Sequence, residues 1–197
     1  MSPILESIGS VKGFGWGKIL SSTAFESIAT ATVGAGGAAN VEFTSIPATF
    51  KHLQIRAMAK SSRTDSPIAT YNVSFNGDTS SIYSYHRLTG GGTAAGASGG
   101  GGNSEGYLYS MAASQTVSSS TFGVAIFDIL DYATSNKNRV LRFLGGSDGN
   151  GSSTGFISLG GVGYFSTNAI SSIRFRIDGG SNFIQYTQFA LYGIKAA

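Results

Sequence analysis

Two histidines, ten acidic residues and no cysteine are the side chains from which this 197-residue chain would have to build most catalytic or metal chemistry. His52 and His86 each begin or lie within a strand-like run, with no second His or carboxylate at metal-ligand spacing nearby. Both read as surface or hydrogen-bonded sheet histidines, and no metal or cofactor site is expected. Asp128 and Asp131 bracket the end of an apolar run and are the best candidates for a carboxylate pair. Glycoside hydrolysis needs two such groups roughly 5–10 Å apart in a cleft. The low acid count argues against that, and Asp128 is expected to face solvent or cap the Asn136-Lys137-Asn138 turn. Asp148-Gly149-Asn150-Gly151 lacks the alternating acids and terminal Glu of a calcium loop, so it reads as a β-turn with Asn and Gly at positive φ. The glycine run at 90–102 has no Lys-Ser/Thr ending and is not a phosphate loop. No residue is nominated as catalytic, and the expectation is a protein that is not an enzyme.

Four tyrosines form the remaining constellation. Tyr83, Tyr85, Tyr107 and Tyr109 sit at strand spacing on either side of the glycine run. Rigid amphipathic rings in that arrangement suit a sugar-stacking platform, which makes them the candidate contact for a glycan. The same spacing suits core and edge residues of a sheet, and that structural reading is preferred.

The elements that would carry these residues are strands. Ile173, Phe175 and Ile177 alternate with Arg174 and Arg176, one face apolar and the other charged. Asp178-Gly-Gly-Ser-Asn182 then breaks the chain before Phe189, Leu191 and Tyr192, which predicts a terminal β-hairpin with a five-residue loop. A first hairpin is predicted from 25–33 and 39–44 around Gly34-Ala-Gly-Gly37. Between them, 52–60, 71–75, 82–88, 106–109, 122–130, 139–144 and 156–164 each read as strands. The run Phe122–Leu130 is the most continuously apolar and predicts a central strand. Residues 90–102 hold eight glycines and no charge, so a long surface loop or mobile tip is expected there. About nine or ten short strands at this spacing predict an all-β fold, an antiparallel β-sandwich of jelly-roll type.

Composition narrows the class of function. Charged residues make up 12%, about half of what an average soluble domain carries. Aromatics at 12% exclude a disordered chain. A surface so poor in charge suits packing against neighbours in an assembly. The net charge of +3 is spread thinly, with Lys137, Arg139 and Arg142 as the local cluster, and no dense basic stripe predicts nucleic-acid binding. No stretch approaches the 18 or so apolar residues of a membrane span, so membrane insertion is not expected. The N-terminus lacks a basic region followed by an apolar core, which fits synthesis in a cytoplasm and use elsewhere without classical secretion.

Residues 1–24 differ from the rest. Gly13, Gly15 and Gly17 surround Phe14 and Trp16, the one tryptophan of the chain. A glycine-rich backbone carrying large aromatics reads as an arm that orders on a partner, with Ile4, Leu5, Ile8, Phe14 and Trp16 as docking residues. Residues 25–197 then form the β-sandwich domain.

Four motifs in order carry a family resemblance. They are Phe43-Thr-Ser-Ile-Pro-Ala-Thr-Phe-Lys-His-Leu-Gln-Ile-Arg56, Phe75-Asn-Gly-Asp-Thr79, Phe127-Asp-Ile-Leu-Asp-Tyr-Ala133 and Gln185-Tyr-Thr-Gln-Phe-Ala-Leu-Tyr-Gly-Ile194. Together with the opening Met1-Ser-Pro-Ile-Leu5, they resemble a family of virion structural proteins of tailed bacteriophages. The resemblance implies a β-sandwich displayed on the particle exterior, as a capsid-decoration or spike subunit or as part of a tail fibre or tip. It further implies virion proteins of the capsid or tail as partners, association as a homotrimer or a larger homo-oligomer, and a role in host attachment as the alternative. It brings no catalytic residue with it.

Overall fold

The structure is a computed structural model that describes residues 24–151 and 155–195. The arm residues Ile4, Leu5, Ile8, Phe14 and Trp16 lie outside the described residues. Twelve strands follow in order: β1 (Phe25–Thr32), β2 (Asn40–Phe43), β3 (His52–Ala59), β4 (Ile68–Phe75), β5 (Tyr83–Gly91) and β6 (Ala94–Asn103), then β7 (Gly106–Ala113), β8 (Gly123–Leu130), β9 (Arg139–Ser147), β10 (Phe156–Tyr164), β11 (Ile173–Ile177) and β12 (Gln188–Ile194). They form an eight-stranded sheet, β1-β12-β3-β8-β9-β10-β5-β6, packed on a four-stranded sheet, β2-β11-β4-β7. Every strand pairing is antiparallel.

The topology is that of a jelly roll with additions. The set β1-β12-β3-β8 faces the set β2-β11-β4-β7, and the chain changes sheet at each step from β1 to β4. Two hairpins are inserted into that plan, β5–β6 before β7 and β9–β10 before β11, and both widen the larger sheet on the same side.

Alternation decides which residues face inward. In β11, Ile173, Phe175 and Ile177 are buried while Arg174 and Arg176 point away from the core, as their spacing predicts. Leu53, Ile55, Phe127, Ile129, Leu141 and Phe143 of the larger sheet meet Tyr71, Val73, Phe75 and Phe175 of the smaller one. The ring of Phe175 lies 5.2 Å from that of Phe127 and 5.0 Å from that of Phe189, so aromatic contacts bridge the two layers.

Three local expectations need correction. Residues 25–33 and 39–44 are not a hairpin, because β1 pairs with β12 while β2 pairs with β11 in the other sheet. The terminal pair fails for the same reason: β11 and β12 lie in different sheets, and Asp178–Gly180 is a short 3-10 turn in the crossing between them. Both glycine-rich breaks supply a crossover rather than a tight reversal. The run 90–102 is not a loop either. It turns at Gly92, at φ 58°, and returns as β6 in register with β5. Its glycines are seats for neighbouring rings: a Cβ at Gly99 would lie 2.5 Å from the imidazole of His86, and one at Gly100 would lie 3.0 Å from the ring of Tyr85. Cross-strand rings laid over glycines stabilise a strand that has little side chain of its own to pack.

Two buried cations fasten the connections. Lys60 Nζ donates to the carbonyls of Val117, Ser118 and Thr121 at 3.3, 2.6 and 3.1 Å, holding the β7–β8 loop without any acid. Arg139, a member of the local basic cluster, is buried and donates to the carbonyls of Tyr132, Lys137 and Thr167. Multiple carbonyl contacts offset the desolvation of each charge.

Candidate interaction face

The two outer faces of the sandwich differ in chemistry. On the smaller sheet, Arg174 stands opposite Glu42 and Ser74, and Arg176 stands opposite Asn40 and Asn72. Glu105, at the corner before β7, accepts from Arg174 at 3.3 Å, from Arg176 Nε at 2.7 Å and from Asn72 at 3.2 Å. Burial pushes the Glu105 carboxyl up, but the guanidinium of Arg176, the Asn72 amide and the charge of Arg174 outweigh it and hold it below the ordinary glutamate value. This is the polar outer face expected of an antiparallel sheet that meets water.

The larger sheet presents the opposite. Cross-strand registers align Arg56, Ile126, Leu144, Leu159, Leu88 and Ala97 in one row across six strands. The adjacent row runs Met58, Val124, Gly146, Ile157, Gly90 and Ala95. The seven large apolar residues in these rows are between 40% and 60% exposed. Gly146 leaves a trough between Val124 and Ile157, and Gly90 leaves another beyond Ile157; both line an open groove of about 1120 Å³ that reaches Phe122 and Asp148. Gly146 must be a glycine, because a Cβ there would lie 2.5 Å from the Phe156 carbonyl oxygen. The groove is therefore a consequence of how closely β9 and β10 approach. A contiguous exposed apolar band of this kind makes this face the candidate interaction surface.

A polar row borders the band. Asp128 accepts from Gln54 at 2.9 Å and from Arg142 at 2.8 Å, while Arg56 Nε donates to Gln54 at 3.0 Å. These cross-strand partners give the face a defined polar margin.

The remaining sequence candidates are placed as follows. Asp131, beyond the end of β8 at φ 51°, is bound by Lys51 at 2.7 Å and Lys137 at 2.5 Å. Those two cations hold its carboxyl well below the usual carboxylate range, and its partners differ from those of Asp128. The two acids do not share a partner or a cleft. His52 Nδ1 accepts from the Asp131 backbone N–H at 3.0 Å, which makes it a strand-end fastening. Asp148 accepts from the Asn150 N–H at 2.8 Å and Asn150 has φ 60°, so that segment is a bend closed by the Asp148 side chain with Asn150 at positive φ. Gly96-Ala-Ser-Gly-Gly100 spells Gly-x-Ser-x-Gly, yet it lies inside β6 rather than at the strand-to-helix turn that exposes a nucleophile. A second such string, Gly145-Gly-Ser-Asp-Gly149, spans the end of β9, and a third, 151–155, falls largely outside the described residues. Among the described residues, no three His, Asp or Glu side chains gather as metal ligands.

Three of the four tyrosines come together. Tyr83 is in the core: its hydroxyl donates to the Asp78 carbonyl and accepts from the Phe75 N–H, both at 3.0 Å. Tyr85 and Tyr107 meet edge to face at 5.5 Å, and the Arg87 guanidinium lies 3.3 Å from the Tyr109 ring centre. One face of Tyr109 is thus already occupied by a cation.

The apolar rows were not picked out from the sequence as a surface, although a signal existed. Phe122–Leu130 is apolar at both parities, which reads as a strand covered on both faces. Here β8 is the fourth of eight strands, and its outer face has no cover within the described chain. No protein-family model matches this chain, and no curated protein matches it either.

Proposed function

We propose that this chain is a structural, non-enzymatic subunit of a tailed-phage virion. In this reading, residues 1–24 dock it on the particle and residues 25–197 stand on the exterior. The observation that carries the proposal is the contrast between the two outer faces: the charged face of the smaller sheet suits water, and the apolar face of the larger sheet suits a protein neighbour. The low charge of the chain and the four ordered motifs support the same reading. The subunit decorates a capsid or forms part of a tail fibre or tip, and its apolar band packs against the next virion protein.

An experimental map of the intact particle, traced for this chain, is the test. The expected result is density with the larger sheet against a neighbour, the smaller sheet toward solvent and residues 1–24 in contact with the particle. A chain absent from purified particles overturns the proposal, as does full incorporation after deletion of residues 1–20 for the docking role of the arm. The competing reading is a host-glycan module built on Tyr85, Tyr107 and Tyr109, whose rings are half-buried together beside Arg87.

A further inference from the structure

Among the described residues the two sheets end in four edge strands, and an edge is a row of backbone donors and acceptors able to pair with another chain. Three of the four are blunted. The edge strand β1 carries a register irregularity between Ser27 and Ala29 and the Glu26–Lys195 ion pair at 2.7 Å. Strand β2 is four residues long. Strand β7 has a register shift opposite Thr70/Tyr71, and its Tyr109 carbonyl is taken by the Ser158 hydroxyl of β10. Strand β6 has no register shift and no ion pair along Ala94–Gly100, and the Gly96 carbonyl there accepts from the Thr89 hydroxyl of its own neighbour β5 at 3.3 Å. It keeps unbroken register with β5 there, carries no charge or proline, and has β5 as its one neighbouring strand.

We infer that β6 is a pairing edge and that its occupant is β6 of a second copy, antiparallel across a two-fold axis. Self-pairing is favoured by charge: no residue from Gly92 to Ser104 is ionisable, so nothing is brought against its own like across the axis. It is favoured also by continuity. Ala95 and Ala97 lie in the same rows as Ile157 and Leu88, so pairing centred near Ala97 joins the apolar bands of two copies into one surface. The contact is built from backbone hydrogen bonds, the β-augmentation mode of recognition. It is pairwise, distinct from any three-fold contact, and does not depend on the virion reading.

Sedimentation equilibrium of the purified full chain, with amide hydrogen exchange at low and high concentration, tests the inference. The expected result is a monomer–dimer equilibrium in which amides of 94–100 gain protection as concentration rises. Ala97→Lys, which places two ammonium groups near the axis, weakens association at least tenfold. Thr30→Lys on the opposite edge leaves it unchanged. Deleting residues 1–20 also leaves the dimer intact. A chain that stays monomeric overturns the inference, as does an oligomer whose 94–100 amides exchange at the same rate at both concentrations. Dimer loss on deleting the arm assigns the edge to residues 1–20 and overturns it as well. The exchange measurement needs no variant and stands even where Ala97→Lys folds poorly.

Discussion

Replacing Glu105 by Gln separates the electrostatics of the smaller sheet from its packing, since shape is kept and charge is lost. Exposed ion pairs contribute about 0.2–1 kcal/mol, whereas removing one partner of a fully buried pair costs about 3–5 kcal/mol. Glu105 sits between these limits. Its side chain is 9% exposed, but Arg174 and Arg176 are each about a third exposed and can recover water when the carboxylate goes. Glutamine still accepts from Asn72. The expected loss is therefore about 2 kcal/mol at neutral pH, or about 4–8 °C in Tm for a domain of this size. The folded carboxyl titrates below its ordinary value near 4.5, so the folded state releases this proton more readily than the unfolded chain. Its stabilisation is complete above that value and is lost as pH falls through the folded value. Urea unfolding of both proteins between about pH 7 and pH 3 should show a gap that closes in acid. A gap under about 0.5 kcal/mol at neutral pH, or one constant down to pH 3, refutes the reasoning.

Other substitutions address the face and its supports. The double variant Leu144→Glu/Leu159→Glu changes two facing residues of the apolar band. Each half-exposed leucine regains about 1 kcal/mol on burial, and each new carboxylate adds a desolvation cost, so incorporation into particles should fall at least tenfold while the chain stays folded. Unchanged incorporation beside wild-type competitor counts against the face. Lys60→Met removes all three bonds to the β7–β8 loop and should cost about 2–4 kcal/mol in denaturant unfolding; a change below about 1 kcal/mol shows that water replaces the ammonium group. Tyr85→Ala should destabilise the chain by about 2–3 kcal/mol through lost ring contacts with Tyr107, and a glycan array should be silent for both proteins. Array binding by the wild type that Tyr85→Ala abolishes would promote the glycan-module reading.

Strand identity was legible wherever one face is apolar and the other polar. β3 and β11 each present a period of two, with Leu53/Ile55 and Ile173/Phe175 inward, and both occupy the positions that spacing predicts. Strand partners were not legible. A short glycine-rich break serves a hairpin and an inter-sheet crossing equally well, and local residues do not say which; partner choice follows from closing the whole sandwich. The glycine run failed for a related reason. Side-chain burial is the signal that sequence patterns carry, whereas β6 is held by backbone bonds and by rings contributed from β5. For the interaction face, the sequence contained the apolar residues at both parities of β8 but not the fact that β9, β10 and β5 continue the same rows.

The inserted hairpins also explain the tyrosines without a ligand. A four-stranded layer cannot cover an eight-stranded one, so the inner face of β9, β10, β5 and β6 needs support that β4 and β11 do not reach. β7 supplies it from the edge of the smaller sheet. Gly106 lets its backbone sit against β10, since a Cβ there would lie 2.4 Å from Val162. Farther along β7, Tyr107 meets Tyr85, and Tyr109 carries Arg87 over its ring and meets Phe156 at 5.9 Å. Long flat side chains, each half-buried, span the gap where a second layer of strands is missing. These contacts hold the inserted hairpins in plane with β8, which keeps the apolar rows continuous from Ile126 to Leu88. If the tyrosines serve that purpose, loosening them should damage the far face as well. Hydrogen exchange in β5 and β10 of Tyr109→Ala should then rise together, with β3 unaffected. Faster exchange confined to β7 would instead show that the larger sheet holds its own plane.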